Sequence, residues 1–473
     1  MSKENELIKN TIILSLGKFL PKLTAFITLP ILTACLTKAE YGTYDLLGTL
    51  IMLVIPIATL QIQSAAFRFL IDCRGNQEES TKIISNIFIV TIPITLLASI
   101  GIGFYFRDLG IQNSLLIVVY FIVDTIYMTV GQIVRGKGYN IPYAIASVAN
   151  SVLSMIFIVL FLKVKNMGLF GLILSLTIAY LICIVYLFKS SEIIGCCKIS
   201  SISKETIKEL IGYSWPMVPN NLSAWVLKLS DRLVITYFLG VEATAIYAVS
   251  NKIPNLLSMA QGVMVMAWSE NASIAVNDSD AKEYYSKMFD KVIDLMFSCT
   301  ALLIATTPIM FYVLIRGDYA EAYYQIPMLI FAMFFYVMSS FLGGIYIAHK
   351  KTKNVGVTTM VAAAINLGID LILVNSIGIW AASISTLVAY FVLYIYRMMN
   401  CQKFQPIKIN HIKNIIEYVL LIIMLLICFQ NTMWLNVLNI LFSVFLVCVL
   451  EGKELLAIFG NILRKGNKRG NKR

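Results

Sequence analysis

Charge is scarce in this chain of 473 residues. Only 14% are Asp, Glu, Lys or Arg, against about a quarter in an ordinary soluble domain. Histidine is scarcer still: the chain has only His349 and His411, too far apart in sequence to suggest a metal site. The nine cysteines show no metal-ligand spacing. Cys196 and Cys197 adjoin, and Cys35, Cys183, Cys299, Cys428 and Cys448 lie in apolar runs, where cysteine serves as small apolar filler. There is no phosphate-cradling P-loop, no dinucleotide-binding glycine pattern and no nucleophile elbow. No cofactor, no metal and no enzymatic activity are therefore expected, and any work must draw on an ion gradient or a substrate gradient. The N-terminus, MSKENELIKN, lacks a cleavable signal pattern.

What the chain does have is apolar length. It is 59% hydrophobic, and its apolar runs repeatedly reach the roughly 20 residues a helix needs to cross a bilayer. Lipid offers the backbone no hydrogen bonds, so such runs must be helical. The spacing predicts about 14 transmembrane helices, at 10–33, 43–66, 82–105, 113–134, 140–162, 168–188, 211–238, 246–268, 291–315, 324–348, 355–375, 377–398, 412–430 and 432–450. The fold expected is an all-α polytopic membrane protein. The net charge of +12 then needs no nucleic acid to explain it. Lys38, Arg107, Lys163, Lys165 and Arg316 fall in loops on one face. The other face collects nearly all the remaining basic residues, which places both termini in the cytoplasm.

The polar link at 191–210 divides six spans from six. Sliding the sequence by 203 positions lays LTKAEYGTY (36–44) on LGVEATAIY (239–247), so that Tyr44 meets Tyr247. Six spans per half make this a parallel repeat about an axis along the membrane normal, a symmetry whose substrate sites lie between the halves. The expected organisation is two pseudo-symmetric six-helix bundles, 1–190 and 211–400, joined by a cytoplasmic linker at 191–210. Two additional helices at 401–452 and a basic tail at 453–473 follow.

Five bases fall inside spans and beyond their terminal turns, where charge is costly and usually faces water or a ligand. Lys18 and Lys22 share one face of the first span at i, i+4. Lys228, Asp231 and Arg232, at i, i+3 and i+4, share a face of the seventh, and Lys252 lies near the outer end of the eighth. Pro21, Pro30, Pro216 and Pro219 mark the same two spans and can bend them. One buried acid, Asp231, cannot neutralise five bases, and the excess points to an anionic ligand. Lysine binds phosphate as a point charge and arginine as a two-pronged fork. A structural ion cluster around Asp231 is the plainer alternative. Asp124 and Asp370 are further intramembrane carboxyls that either carry a coupling proton or stay hydrogen-bonded as structural groups. Arg68 and Arg135 flank the cytoplasmic mouth, where they attract anionic lipid headgroups or simply obey the charge asymmetry of the loops. Trp215, Trp225 and Trp268 either pack between helices or line a cavity.

The segments YGTYDLLGTL (41–50), PIATLQIQSAAFRFL (56–70), GYSWPMVPNNLSAWVLKLSDRLVITYFLG (212–240), AIYAVSNKIPNLL (245–257) and MAWSENA (266–272) resemble polysaccharide repeat-unit flippases of the Wzx type. These belong to the multidrug/oligosaccharidyl-lipid/polysaccharide exporter superfamily. The most specific stretches are Tyr213 to Pro216, Ser230 to Arg232, and Tyr247 to Lys252. Ala245 stands where many relatives have glycine, and Ser250 where alanine is usual. The resemblance implies two six-helix bundles around a cationic lumen. The implied substrate is an oligosaccharide repeat unit on undecaprenyl diphosphate, flipped to the outer leaflet of the bacterial plasma membrane for capsule, exopolysaccharide or O-antigen assembly. On that reading Lys18, Lys22, Lys228, Arg232 and Lys252 meet the diphosphate, and Asp231 orients Arg232. Membrane lipids, a polysaccharide polymerase and a chain-length regulator are the implied partners. A multidrug antiporter, a lipid II flippase and a non-transporting scaffold of a glycan-assembly complex are the alternatives.

Overall fold

The computed structural model of the chain describes residue 21, residues 23–276 and residues 278–470; the side chains of 263, 266, 267 and 453–470 lie outside that description. Among the described residues there are seventeen helices and no strand. In chain order they are α1 (Leu23–Cys35), α2 (Lys38–Ala58), α3 (Ile62–Asp72), α4 (Gln77–Tyr105), α5 (Ile111–Gly136), α6 (Asn140–Ile158, continued by a π-helical turn at Val159–Val164) and α7 (Gly168–Ser190). After the linker come α8 (Lys204–Ser214), α9 (Met217–Leu239), α10 (Val241–Ser250), α11 (Asn255–Ala275), α12 (Ala281–Leu314), α13 (Ala320–Ala348), α14 (Thr352–Ile377), α15 (Trp380–Cys401), α16 (His411–Gln430) and α17 (Met433–Gly470).

Eleven of these are long and apolar enough to cross a membrane. Of the other three expected spans, the first lies partly outside the described residues, and the seventh and eighth each have a physical reason for falling outside that number. Only Leu23–Cys35 of the first is described as an apolar helix. The seventh, α9, carries Lys228, Asp231 and Arg232 in its middle. The eighth is broken at residues 251–254 into α10 and α11, where Pro254 cannot donate to a continuing ladder. The expected span at 43–66 is likewise broken. α2 ends at Ala58, and Leu60 and Gln61 take left-handed backbone angles (φ 49° and 58°) before α3 begins.

Contacts divide the chain into two compact units: residues 1–245 with 314–318, and residues 246–313 with 319–473. α9 thus falls in one unit with the helices that precede it. This division is one of contacts, and the six-plus-six repeat stays an expectation from sequence.

In the first unit one apolar core joins α3, α4, α5 and α7 through Ile62, Leu70, Ile84, Ile133 and Leu187. A second joins α2, α5 and α7 through Leu47, Ile51, Phe121 and Ile173, with Leu233 of α9 packed against it. Glu40 serves two helices at once. It closes a capping box with Thr37 at the start of α2 (Thr37 N to Glu40 Oε2, 2.9 Å), and its Oε1 accepts from Leu169 N at the start of α7 (2.9 Å).

In the second unit α13 is the buried centre. Trp268 of α11 stacks on Phe341 at 4.3 Å and donates Nε1–H to the Phe341 carbonyl at 2.8 Å. Phe335 packs against Tyr394 of α15 and Tyr418 of α16, whose hydroxyls lie 2.9 Å apart.

Candidate functional site

Within the first unit the charged face of α9 lies along α2. Just beyond α9, α2 passes close to the first residue of α10 because position 42 is glycine: a Cβ there would run into the Val241 carbonyl. Trp225 fixes the register by donating Nε1–H to the Thr49 carbonyl at 3.0 Å. One turn beyond Trp225, Lys228 is exposed. One turn further, Arg232 Nε donates to Asp45 Oδ2 at 2.5 Å, with the two side chains only 9% and 11% exposed. Arg232 Nη1 also reaches the Lys228 carbonyl at 3.4 Å, and Thr236 Oγ1 donates to the Arg232 carbonyl at 2.6 Å. Tyr41, fully buried, packs edge-on against Tyr44 one turn before Asp45.

Asp45 corrects the charge count made from sequence. That count set the single acid Asp231 against the buried bases, whereas Arg232 has Asp45 as a buried counter-charge. Asp231 itself is 2% exposed. An acid inside an apolar span was the available signal for Asp45. Its partner was not legible, because the two residues lie 187 positions apart.

The other expected site residues fall in several places. Lys18 and Lys22 lie outside the described residues. Lys252 is half-buried in the turn between α10 and α11, rather than within a helix, and belongs to the second unit. Asp124 is 8% exposed on α5, one turn from both Tyr120 and Tyr127. Tyr180 stacks with Tyr120 (6.0 Å) and Tyr127 (4.7 Å) in the same unit. Asp370, fully buried on α14, is one turn from Asn366. Asn366 Nδ2 donates to Ser385 Oγ (3.2 Å) and Thr386 Oγ1 (3.4 Å) of α15. Arg68 pairs with Asp72 at 2.6 Å on an exposed face of α3. Arg135 lies over the rings of Phe67 (4.7 Å) and Tyr143 (5.3 Å), so Arg68 and Arg135 mark the same end of the α3–α5 pair. Trp225 and Trp268 pack between helices, and Trp215 is exposed.

Two features of the second unit escaped sequence reasoning. Arg397, 4% exposed near the end of α15, donates to Thr358 Oγ1, Ser339 O, Val355 O and Thr359 Oγ1 at 2.9 to 3.2 Å. Its acceptors among the described residues are all neutral, and together they tie α15 to α13 and α14. Apolar residues on both sides of Arg397 were the signal. Lys413 of α16 pairs with Asp294 of α12 and stands 3.9 Å from Glu417 one turn on. These three line the junction of α12 and α16.

Searching curated proteins by sequence gave no match. The fold matches solved structures throughout. One is a multidrug resistance MATE family transporter of the MOP superfamily in its inward-facing conformation, at TM-score 0.68 and 13% identity, covering 83% of this chain and 97% of that one. The outward-facing conformation of such a transporter matches at TM-score 0.57 and 13% identity, covering 84% and 96%. A MOP-superfamily transporter from Pyrococcus furiosus, described as having a binding pocket of reverse polarity that suggests a different function, matches at TM-score 0.57 and 14% identity, covering 84% and 95%. At these identities the likeness is one of fold. A family profile described as "Polysaccharide biosynthesis protein" matches residues 7–269, more than half of the chain. With that match and a MATE-like helical fold, the chain belongs to the polysaccharide biosynthesis protein family.

Proposed function

We propose that this protein flips undecaprenyl-diphosphate-linked oligosaccharide repeat units from the cytoplasmic to the outer leaflet of the bacterial plasma membrane, by alternating access. The product feeds capsule, exopolysaccharide or O-antigen assembly alongside a polymerase and a chain-length regulator. The observation that carries this reading is the family match, because residues 7–269 include every one of Lys18, Lys22, Lys228, Arg232 and Lys252. The α9 geometry supports it. Asp45 holds the Arg232 guanidinium by Nε and orients its fork, and Lys228 stands exposed one turn away. An oriented arginine beside an exposed lysine suits a diphosphate.

Both termini lie in the cytoplasm on this reading. The glycan crosses in water and the polyprenyl chain stays in lipid. Reconstitution of the full chain into vesicles tests it. A lipid-linked oligosaccharide placed in both leaflets should become fully cleavable by an added, membrane-impermeant glycosidase. Protection of half the substrate, as in protein-free vesicles, would refute flipping.

A further inference from the structure

The link between α7 and α8 is not a solvated tether. Two side chains of α4 clamp it. Ser85 Oγ donates to the Cys196 carbonyl (3.1 Å) and accepts from Lys198 N (2.9 Å). Asn86 Nδ2 donates to the Ser201 carbonyl (3.0 Å), and its Oδ1 accepts from Ser203 N (2.9 Å). From α5, Lys137 Nζ adds a bond to the Ser191 carbonyl at 2.8 Å. Ser85 and Asn86 sit inside the membrane-spanning helix α4, so these bonds draw the link down to the membrane boundary.

The exposed side chains agree with that height. Ile199 is 87% exposed and Ile194 66%, a costly arrangement in water and a favourable one at the boundary of headgroups and acyl chains. Between the link and α4 lies a cavity of about 230 Å³. Phe88, Ile92 and Pro93 form one wall, Ile199 and Ile202 the other, and among the described residues Lys198 is the one charged residue that lines it. Pro93 has no N–H for the Ile89 carbonyl and so shapes the α4 wall. The groove is continuous with a lipid-facing stripe of α4, where Ile89, Ile92, Leu96 and Ile100 are all exposed.

We propose that this groove binds a phospholipid of the surrounding leaflet, with an acyl chain along Phe88, Ile92 and Pro93 and the phosphate at the Lys198 ammonium. The apolar walls with a single cation at the rim match a phosphodiester on a hydrocarbon chain. The lipid locks the link to the membrane independently of which substrate the protein carries.

Native mass spectrometry of the full-length protein, released from a detergent that strips bulk lipid, is the test. The wild type should retain a bound phospholipid, and Lys198→Glu and Ile202→Asp, both at exposed positions, should each lose most of it. A wild type carrying no lipid, or variants carrying as much as wild type, would overturn the proposal. A second readout does not depend on lipid surviving purification. A fluorophore on Cys197, with the other cysteines replaced by alanine, should be quenched in vesicles by chain-spin-labelled phospholipid and shielded from aqueous iodide. Quenching by iodide and not by the labelled lipid would show a water-filled groove or a soluble partner instead, and would equally overturn it.

Discussion

Arg232 of α9 and Asp45 of α2 form a buried ion pair at 2.5 Å, and each is nine-tenths shielded from solvent. Breaking such a pair from one side leaves an uncompensated charge, at a cost of about 3–5 kcal/mol. Asp45→Ala should therefore lower the thermal unfolding midpoint of the purified protein sharply. The double variant Asp45→Asn, Arg232→Gln keeps a hydrogen bond without charge and should recover most of the loss. A double variant as unstable as Asp45→Ala would mean that the pair's charge, not its geometry, holds α2 to α9.

Lys413 stands between Asp294 and the nearly buried Glu417. Replacing it with methionine leaves two acids facing each other without a cation. The cost should be on the order of 3 kcal/mol, at the lower edge for a buried pair because Lys413 is 31% exposed. Adding Glu417→Gln removes the repulsion between the two carboxylates and should restore stability in part. Simple additivity of the two single changes in a double-mutant cycle would contradict the coupling.

Arg397 links three helices through neutral acceptors. Methionine there preserves packing but removes the guanidinium's hydrogen bonds to the Ser339 and Val355 carbonyls, each worth about 1.5–3 kcal/mol as a bond to a charged group. Arg397→Met should be markedly less stable than wild type in denaturant titration, and Arg397→Lys should rescue only partly, because an ammonium cannot reach acceptors on both α13 and α14 in one plane. Full stability of the lysine variant would argue against a fork-shaped requirement.

Asn86 holds the link at two points, Ser201 and Ser203. Asn86→Ala should expose the link to limited proteolysis within 191–203 while the transmembrane helices remain intact. An unchanged digestion pattern would show that the α4 clamp is dispensable.

The transmembrane helices were legible from the sequence because lipid forces apolar runs of spanning length into helices. The breaks were less so. Pro254 lies inside the span expected at 246–268, which runs through it, and the left-handed pair Leu60 and Gln61 has no glycine to announce it. Partners were the hardest to see. Helical spacing put Asp231 beside Arg232 on one face, which made it the natural counter-charge. The buried contact to Asp45 depends on how α2 lies on α9, where Trp225 reaches the Thr49 carbonyl. Arg397 was hidden for a related reason: at the end of a span it resembles an ordinary cytoplasmic loop cation, and only packing reveals that it is buried.

The most direct measurement uses a strain lacking this gene, complemented with wild type, Lys228→Gln, or the charge-free pair Asp45→Asn, Arg232→Gln. Surface glycan and the leaflet holding the lipid-linked repeat unit are scored at equal protein level. If the α9 bases meet the diphosphate, the charge-free pair folds but leaves repeat units in the inner leaflet with surface glycan lost, and Lys228→Gln weakens export. Wild-type export by the charge-free pair would show that Arg232 and Asp45 only hold the helices together, and would contradict the diphosphate site.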